Sequence, residues 1–193
     1  MTTAPPVRER ILASATRLFE STSIRAVSAD RIVDDVGTTK VTFYRYFPTK
    51  DHLVVAYLDS HLLQLQDAVR QARTDGTDAC GILLLMAEVN HSAACRPGFR
   101  GCIFNNAAAE YPMPDHPVRR AVGRYRTWLH DAVSGLLTDL GVDEPAAIAA
   151  QLITLRDGAM VAGSLDTPGT VADVLLPAGR TIIAAHRGGP LPA

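Results

Sequence analysis

Lysine is almost absent from this 193-residue chain, where Lys40 and Lys50 are two of 19 basic residues. Only three cysteines occur, and an odd count in a reducing compartment argues against a disulfide framework. The sequence also lacks an apolar run of about 18 residues that could span a bilayer. Its first residues lack the charged-then-apolar pattern of a signal peptide. We therefore expect a cytoplasmic protein with loose tails at residues 1–6 and 188–193.

The usual sequence signatures of catalysis are missing as well. There is no Gly-rich phosphate loop, no nucleophile elbow and no pair of carboxylates at catalytic spacing. An enzyme that uses a Cys–His or His–Asp pair is supported by nothing beyond the presence of those residue types. We predict that the protein is not an enzyme and needs neither a cofactor nor a metal.

What the sequence does contain, near its start, is a succession of three helical patterns. Residues 8–21 carry an apolar stripe with the period of an amphipathic helix. Ser28 can cap a second helix, Gly37 can supply the turn that ends it, and Thr38 or Thr39 can cap a third. The pattern predicts a helix, a short glycine turn and a helix, with the first helix packed across both.

The third helix is dense in hydroxyl, aromatic and basic side chains. From Thr39 to Phe47, only Val41, Phe43 and Phe47 are apolar. Phosphate oxygens accept hydrogen bonds from Lys, Arg, Thr and Tyr, while base edges in the major groove are read by the first residues of an inserted helix. We predict a DNA-reading helix that Phe43 and Phe47 hold to its domain.

The segment from Gly37 to Leu53 resembles the tetracycline-repressor (TetR) family of bacterial regulators, most specifically in its Tyr-x-x-Phe-x-x-Lys run, and the resemblance covers residues 8–58. It implies an all-helical homodimer with a DNA-binding domain at residues 7–52 and a larger effector-binding and dimerisation domain at residues 53–187. The DNA-binding residues predicted from the resemblance and the helix pattern are Ser28, Thr39, Lys40, Val41, Thr42, Tyr44, Arg45, Tyr46 and Lys50.

Individual residues of this set also have a physical interpretation. Lys40 can reach a guanine O6/N7 edge or a phosphate, and Val41 can lie against a thymine methyl group. Lys50 follows the predicted Thr49 cap, where a helix N-terminus already favours an anion. Arg45 can equally be a solvated surface charge, and Tyr46 can be partly buried in the core.

Charge is distributed unevenly along the chain. Residues 1–50 hold eight Lys/Arg against five Asp/Glu, a net +3, whereas the rest holds eleven against fifteen, a net −4. Such a modest positive charge favours a dimer that presents two reading helices to a palindromic operator. Asp30 departs from the family pattern because its charge would repel a phosphate; either Arg25 or Arg31 compensates for it, or the second helix is rolled.

The remainder of the chain predicts six further helices, at about residues 51–73, 79–89, 100–110, 117–140, 144–163 and 171–185. The helix at 79–89 is apolar almost all round, so we expect it to be central, buried and a wall of an effector cavity. The last two helices are rich in small residues, and the resemblance implies that they form a four-helix dimer interface. Pro177 predicts a kink or break in the last helix.

A mainly apolar cavity with a few polar groups suits a small hydrophobic or aromatic effector. Tyr125 and Trp128 can equally be ordinary core residues, and Arg156 beside Asp157 can form a buried or inter-subunit ion pair. The residues that we predict to contact the effector are Met86, Asn90, His91, Phe99, Asn105, Tyr125, Trp128, Gln151 and Leu155.

An alternative trigger is metal binding or thiol oxidation at His91, Cys95 and Cys102. His91 and Cys95 are four residues apart on one helix face, and Cys102 follows seven residues later. These residues could bind zinc or copper, or the two cysteines could form a redox-switched disulfide. A free cysteine, however, usually behaves as a small buried hydrophobic residue.

Overall fold

The computed structural model describes residues 5–165 and 170–187, and within these ranges the protein is helical and forms no strand. The all-α prediction is confirmed. None of the helices in the described ranges is both long and apolar enough to cross a membrane. Residues 188–193 and residues 1–4 of the predicted tails lie outside the described residues. The helices are α1 (Val7–Ser21), α2 (Ala29–Val36), α3 (Lys40–Tyr46), α4 (Lys50–Thr74), α5 (Ala79–Ala94), α6 (Ile103–Glu110), α7 (Pro117–Asp139), α8 (Pro145–Leu165) and α9 (Thr170–Ala185).

The chain divides into two compact units. Unit 1 is formed by Met1–Leu63 and Ile103–Gly123, and unit 2 by Gln64–Cys102 and Arg124–Ala193. Helices α4 and α7 each begin in unit 1 and end in unit 2. This division follows packing alone; the division into DNA-binding and effector-binding domains at residues 7–52 and 53–187 stays a prediction.

The turn between α2 and α3 follows from three local signals. The Ser28 side chain caps α2 by accepting a hydrogen bond from the Arg31 N–H at 3.1 Å. Gly37 ends that helix in the left-handed conformation, with φ of +67°, which a residue without a Cβ adopts at little cost. Thr39 then caps α3 by accepting from the Thr42 N–H at 3.1 Å. The predicted helix, glycine turn and helix are confirmed.

Aromatic packing holds α3 to unit 1. Phe43 and Phe47 are buried, as predicted, with Phe43 completely excluded from solvent. Phe19 of α1 packs edge-on against Tyr57 of α4 with ring centroids 5.4 Å apart. Burial of Phe43 and Phe47 stabilises the position of α3 while its outer face stays in water.

Helix α6 is tied to the rest of unit 1 by its last residues. The Glu110 carboxylate accepts hydrogen bonds from the backbone N–H groups of Ile24 at 3.2 Å and Arg25 at 2.6 Å. The Tyr111 hydroxyl donates to Asp51 at 3.2 Å, beside His116 at 3.3 Å from the same carboxylate. These bonds join the end of α6 to the α1–α2 connection and to the start of α4.

Two sequence predictions about the remaining helices are wrong. Helix α5 is not buried all round, because Leu85 and Val89 on one of its faces remain 40% and 44% exposed. Helix α9 continues through Pro177 without a break, so a break is excluded, whereas a kink at Pro177 stays a prediction. One missing N–H removes a single helical hydrogen bond, and the packing of α9 against α5 and α8 stabilises the helix around it.

Candidate DNA-binding surface and effector cavity

The first turn of α3 and its aromatic residues form the exposed face of the helix. Val41 is 82% exposed, whereas Tyr44 and Tyr46 keep 47% and 37% of their surface in solvent. The Thr39 hydroxyl donates to the Thr42 hydroxyl at 3.0 Å, which orders the two side chains at the helix start. Groups that can contact a groove therefore lie on the outer side of α3, and Phe43 lies on the inner side.

Lys40, also in the first turn, is engaged by an acid from the preceding helix. Its ammonium group lies 2.9 Å from both carboxylate oxygens of Asp30. The hydrogen bond to Asp30 and its negative charge raise the pKa of Lys40, which stays protonated. The partner that compensates for Asp30 is thus Lys40, and not Arg25 or Arg31 as the sequence suggested.

The other predicted basic contacts are also occupied within the chain. The Lys50 ammonium donates to the backbone carbonyl of Ile24, with that of Arg25 at 3.5 Å. Desolvation by burial lowers the pKa of Lys50. The Arg45 guanidinium lies 5.1 Å from the centroid of the Tyr46 ring, a distance at which a cation is attracted to the aromatic face. A phosphate contact by Lys50 would require its ammonium to leave the α1–α2 connection.

A cavity of about 170 Å³ lies within unit 2. Its walls are formed mainly by leucine, valine and isoleucine side chains, and α5 contributes the longest stretch of wall. Four of the nine predicted effector contacts line it, namely Met86, Asn90, Tyr125 and Trp128. The lining residues are Leu65, Ala68, Val69, Cys80, Leu83, Leu84, Leu85, Met86, Ala87, Val89, Asn90, Tyr125, Trp128, Leu129, Val133, Leu140, Leu152, Ile153, Arg156, Leu175, Leu176, Gly179, Arg180 and Ile183.

The other five predicted effector contacts lie elsewhere. Phe99 and Leu155 pack against a core cluster made of Ala94, Ala159 and Leu175. His91 contacts Cys95, and Gln151 is exposed. Asn105 belongs to α6 in unit 1. Helical periodicity identified inward-facing positions but could not separate those that fill the core from those that face a void.

Arg156 is the more buried of the two arginines that line the cavity. From the sequence we predicted it only as an ion-pair partner of Asp157. Its Nε–H donates to Asn90 at 3.0 Å and its Nη1 to Asp157 at 2.9 Å. The ion pair is intrachain and largely buried, with 15% and 22% of the two side chains exposed. The sequence signal that could have identified this buried charge is an arginine among the small and apolar residues of α8.

Asp157 is shared between two arginines. Its other oxygen accepts from Arg126, whose side chain is 43% exposed. Burial acts to raise the pKa of Asp157, but hydrogen bonds from Arg126 and Arg156 outweigh it, and the pKa lies below its usual value of 3.8. Burial also raises the pKa of the Tyr125 phenol well above its ordinary range, so this group keeps its proton at neutral pH.

The three residues of the metal or thiol alternative are not brought together. The Cys95 sulfur lies 3.7 Å from His91 Nε2 on the exposed side of α5, whereas Cys102 is buried. In the part of the chain that the structure describes, no three His, Cys, Asp or Glu side chains are grouped as metal ligands.

A short glycine turn between two helices, the second of which exposes its first turn and is pinned by buried rings, defines a helix-turn-helix DNA-binding protein. Residues 11–57 match the family model described as bacterial regulatory proteins, tetR family. SCO4454, a TetR-family transcriptional regulator from Streptomyces coelicolor, is 39% identical over 93% of this chain and 95% of its own, with a TM-score of 0.86. The chain belongs to the TetR family of DNA-binding transcriptional regulators.

Two further relatives are more distant. The HTH-type transcriptional regulator YjdC from Escherichia coli is 28% identical over 79% of this chain and 81% of its own length. FadR from Thermus thermophilus, a TetR-family repressor in complex with lauroyl-CoA, is 22% identical, with a TM-score of 0.64 over 96% of this chain and 99% of that one. At that level of identity the likeness to FadR shows the fold alone.

Proposed function

We propose that this regulator is a cytoplasmic homodimeric repressor that a small hydrophobic or aromatic effector releases from a palindromic operator. The observation that carries the proposal is the mainly apolar cavity in unit 2, in a chain whose unit 1 holds the DNA-reading helix. Residues 7–52 then act as the DNA-binding domain, and residues 53–187 bind the effector and the second subunit. The Thermus FadR complex with lauroyl-CoA supports effector binding by a protein of this fold.

The coupling that release requires is thermodynamic. An effector that binds the DNA-free conformation more tightly than the DNA-bound one lowers operator affinity, and the operator lowers effector affinity by the same factor. Helices α4 and α7 are shared by both units, so a change in either helix is felt by residues of both.

The homodimer is supported by the surface of α8 and α9. These helices pack on each other and contain many small residues, which allow further helices to approach closely. Val161, Leu165 and Val174 on them remain 52%, 78% and 43% exposed in the single chain. Covering these side chains in a partner interface would remove apolar surface from water.

DNA recognition is tested first by selecting the fragments of host genomic DNA that the purified protein binds. We expect a palindrome, whose affinity falls with salt and is weakened in Lys40→Ala and Tyr44→Phe. Arg73→Ala is the matched control, because this half-exposed residue of unit 2 lies outside the cavity lining and outside α8 and α9, and it should leave operator affinity unchanged. Failure to enrich any sequence at low salt would contradict the proposal.

Repression and release are tested separately. Deletion of the gene should raise transcription from a promoter that overlaps the recovered operator, and a fall would make the protein an activator. A compound that binds the cavity should weaken operator binding, and operator DNA should weaken binding of that compound by the same factor. A tight cavity ligand that leaves operator affinity unchanged would refute release by an effector.

A further inference from the structure

The charged residues that line the cavity of unit 2 are basic. Two arginines, Arg156 and Arg180, contribute to its lining, and among the described residues no aspartate, glutamate or histidine does. A cationic ligand in this cavity would meet like charge and no counterion. The lining therefore selects against ammonium compounds, whatever their shape.

The buried arginine carries a charge that its neighbours balance only in part. Asp157 is one carboxylate between two guanidinium groups, those of Arg156 and Arg126. The group of three side chains thus has a net charge of +1. Arg126 is 43% exposed, so water screens its charge, whereas Arg156 is largely buried and shares Asp157 with Arg126. An anion in the cavity would give Arg156 a counterion that it does not share.

Arg156 is also held in a fixed orientation. Asn90 accepts from its Nε–H through Oδ1 and donates its own N–H to the Met86 carbonyl at 2.6 Å, which fixes the amide. Asp157 accepts from Nη1 of the same guanidinium. A guanidinium has five N–H groups in a planar fork, more than these two partners use, and a carboxylate matches that geometry.

A second polar group lines the same cavity. Tyr125 is 2% exposed, and burial raises the pKa of its phenol. Because the phenol stays protonated, it adds no negative charge that would repel an anion. Arg156, Asn90 and Tyr125 therefore form a polar end in a cavity that is otherwise apolar.

Cavity volume sets the scale for the part of the ligand that lies inside. A volume of about 170 Å³ is close to that of an engineered apolar cavity of about 150 Å³ that accepts benzene. One ring with a small substituent fits such a space. The apolar walls, among them Leu83, Leu129 and Val133, suit the ring.

We propose that the effector is a small organic anion, an aromatic or compact aliphatic carboxylate whose carboxylate group binds Arg156. This inference rests on the proposed function and names the chemical class of its effector. The apolar part of the molecule fills the leucine- and valine-lined end, and the carboxylate completes the charge balance of the Arg126–Asp157–Arg156 group.

Three probes with the same ring and different charge test the inference: benzoate, benzamide and benzylamine, the last cationic at neutral pH. Their binding to the purified full-length protein is measured by calorimetry and by ligand-observed NMR. Benzoate should bind at least about tenfold more tightly than benzamide, as expected for hydrogen bonds to a charged group. Benzylamine should not bind.

Variants locate the effect. Arg156→Gln should abolish the preference for benzoate over benzamide. Arg126→Gln removes a half-exposed charge that is outside the cavity lining, and it should weaken benzoate while leaving benzamide unchanged. This second variant keeps the test decisive if Arg156→Gln fails to fold. Arg73→Gln, which breaks an exposed ion pair with Asp139 in the same unit, is the matched control and should change nothing.

The outcomes separate this inference from the proposed function. If benzamide binds as well as benzoate, or if both Arg156→Gln and Arg126→Gln leave benzoate binding intact, the anionic effector is refuted while a small effector remains. If none of the three probes binds at millimolar concentration, the small anionic effector is refuted, whereas the proposed function is still decided by operator selection and by release with other compounds.

Discussion

Replacing Asp30 by Asn should make DNA binding tighter and more sensitive to salt. In the free protein the Asp30 carboxylate holds the Lys40 ammonium group on the exposed face beside α3. Removal of this carboxylate frees one cation for each chain and also removes one negative charge that would repel a phosphate. The freed Lys40 can then neutralise a phosphate oxygen and release a counterion.

The size of the effect follows from counting charges. Each additional phosphate that is neutralised steepens the dependence of log affinity on log salt by about 0.9. The proposed homodimer carries two such pairs, so the slope should steepen by about 1.8. At 0.1 M salt, relative to 1 M, this corresponds to a gain in affinity of at most about 60-fold. Because phosphate contacts carry no sequence information, the preference for operator over unrelated DNA should not rise.

Fluorescence anisotropy with an operator duplex and a scrambled duplex, from about 0.05 to 0.4 M salt, measures both quantities. Asp34→Asn is the matched control, because it makes the same charge change on the same helix and acts on Lys40 only through space. An unchanged slope would refute the reasoning, as would an equal effect of Asp34→Asn. Loss of operator affinity alone would mean that Asp30 positions Lys40 for a base contact.

Three further predictions concern stability, measured as the free energy of unfolding in urea. Phe43→Ala should cost about 3–5 kcal/mol, since it removes a fully buried ring, whereas Val41→Ala on the exposed face should change stability little; equal costs would contradict the assigned orientation of α3. Glu110→Gln should cost about 1–3 kcal/mol, because an amide replaces the carboxylate that accepts two backbone N–H groups. An unchanged urea midpoint of unfolding would show that these two hydrogen bonds contribute little to stability. The Ser14 hydrogen bond and then Arg17 lower the pKa of Asp35, so the contribution of Asp35 to the free energy of unfolding is present above the usual carboxyl pKa of 3.8 and is lost as pH falls below it. Asp35→Asn should therefore reduce the loss of stability at acid pH. An unaltered loss at acid pH would show that Asp35 does not contribute to it.

Local signals were enough to predict the helix-turn-helix. Ser28, Gly37 and Thr39 act within three or four residues of their own positions, so caps and turn can be inferred without tertiary structure. The burial of Phe43 and Phe47 followed from helical spacing alone. Both inferences need only the period of the helix and the chemistry of its ends.

Contacts between helices were harder to predict because they depend on how the helices cross. The pairing of Asp30 with Lys40 spans ten residues and a turn, and the sequence pointed instead to arginines nearby. The cavity is lined by residues from five helices, α4, α5, α7, α8 and α9, so a wall residue cannot be told from a core residue by periodicity. The exposure of Leu85 and Val89 on α5 could not be predicted for the same reason. An apolar helix surface shows that burial would be favourable, but it does not show that another helix covers it.

The net charge of +3 in residues 1–50 overstates the charge available to DNA. Six of the eight basic side chains there already contact a carboxylate, a backbone carbonyl or an aromatic ring of the chain, namely Arg8, Arg10, Arg17, Lys40, Arg45 and Lys50. A single DNA-binding domain with so few unengaged cations gains little affinity from counterion release. Useful affinity must then come from two such domains that bind one palindrome, where the second domain binds at the high effective concentration set by the first. A variant that dissociates the proposed dimer should therefore lose operator binding even when its α3 is unchanged.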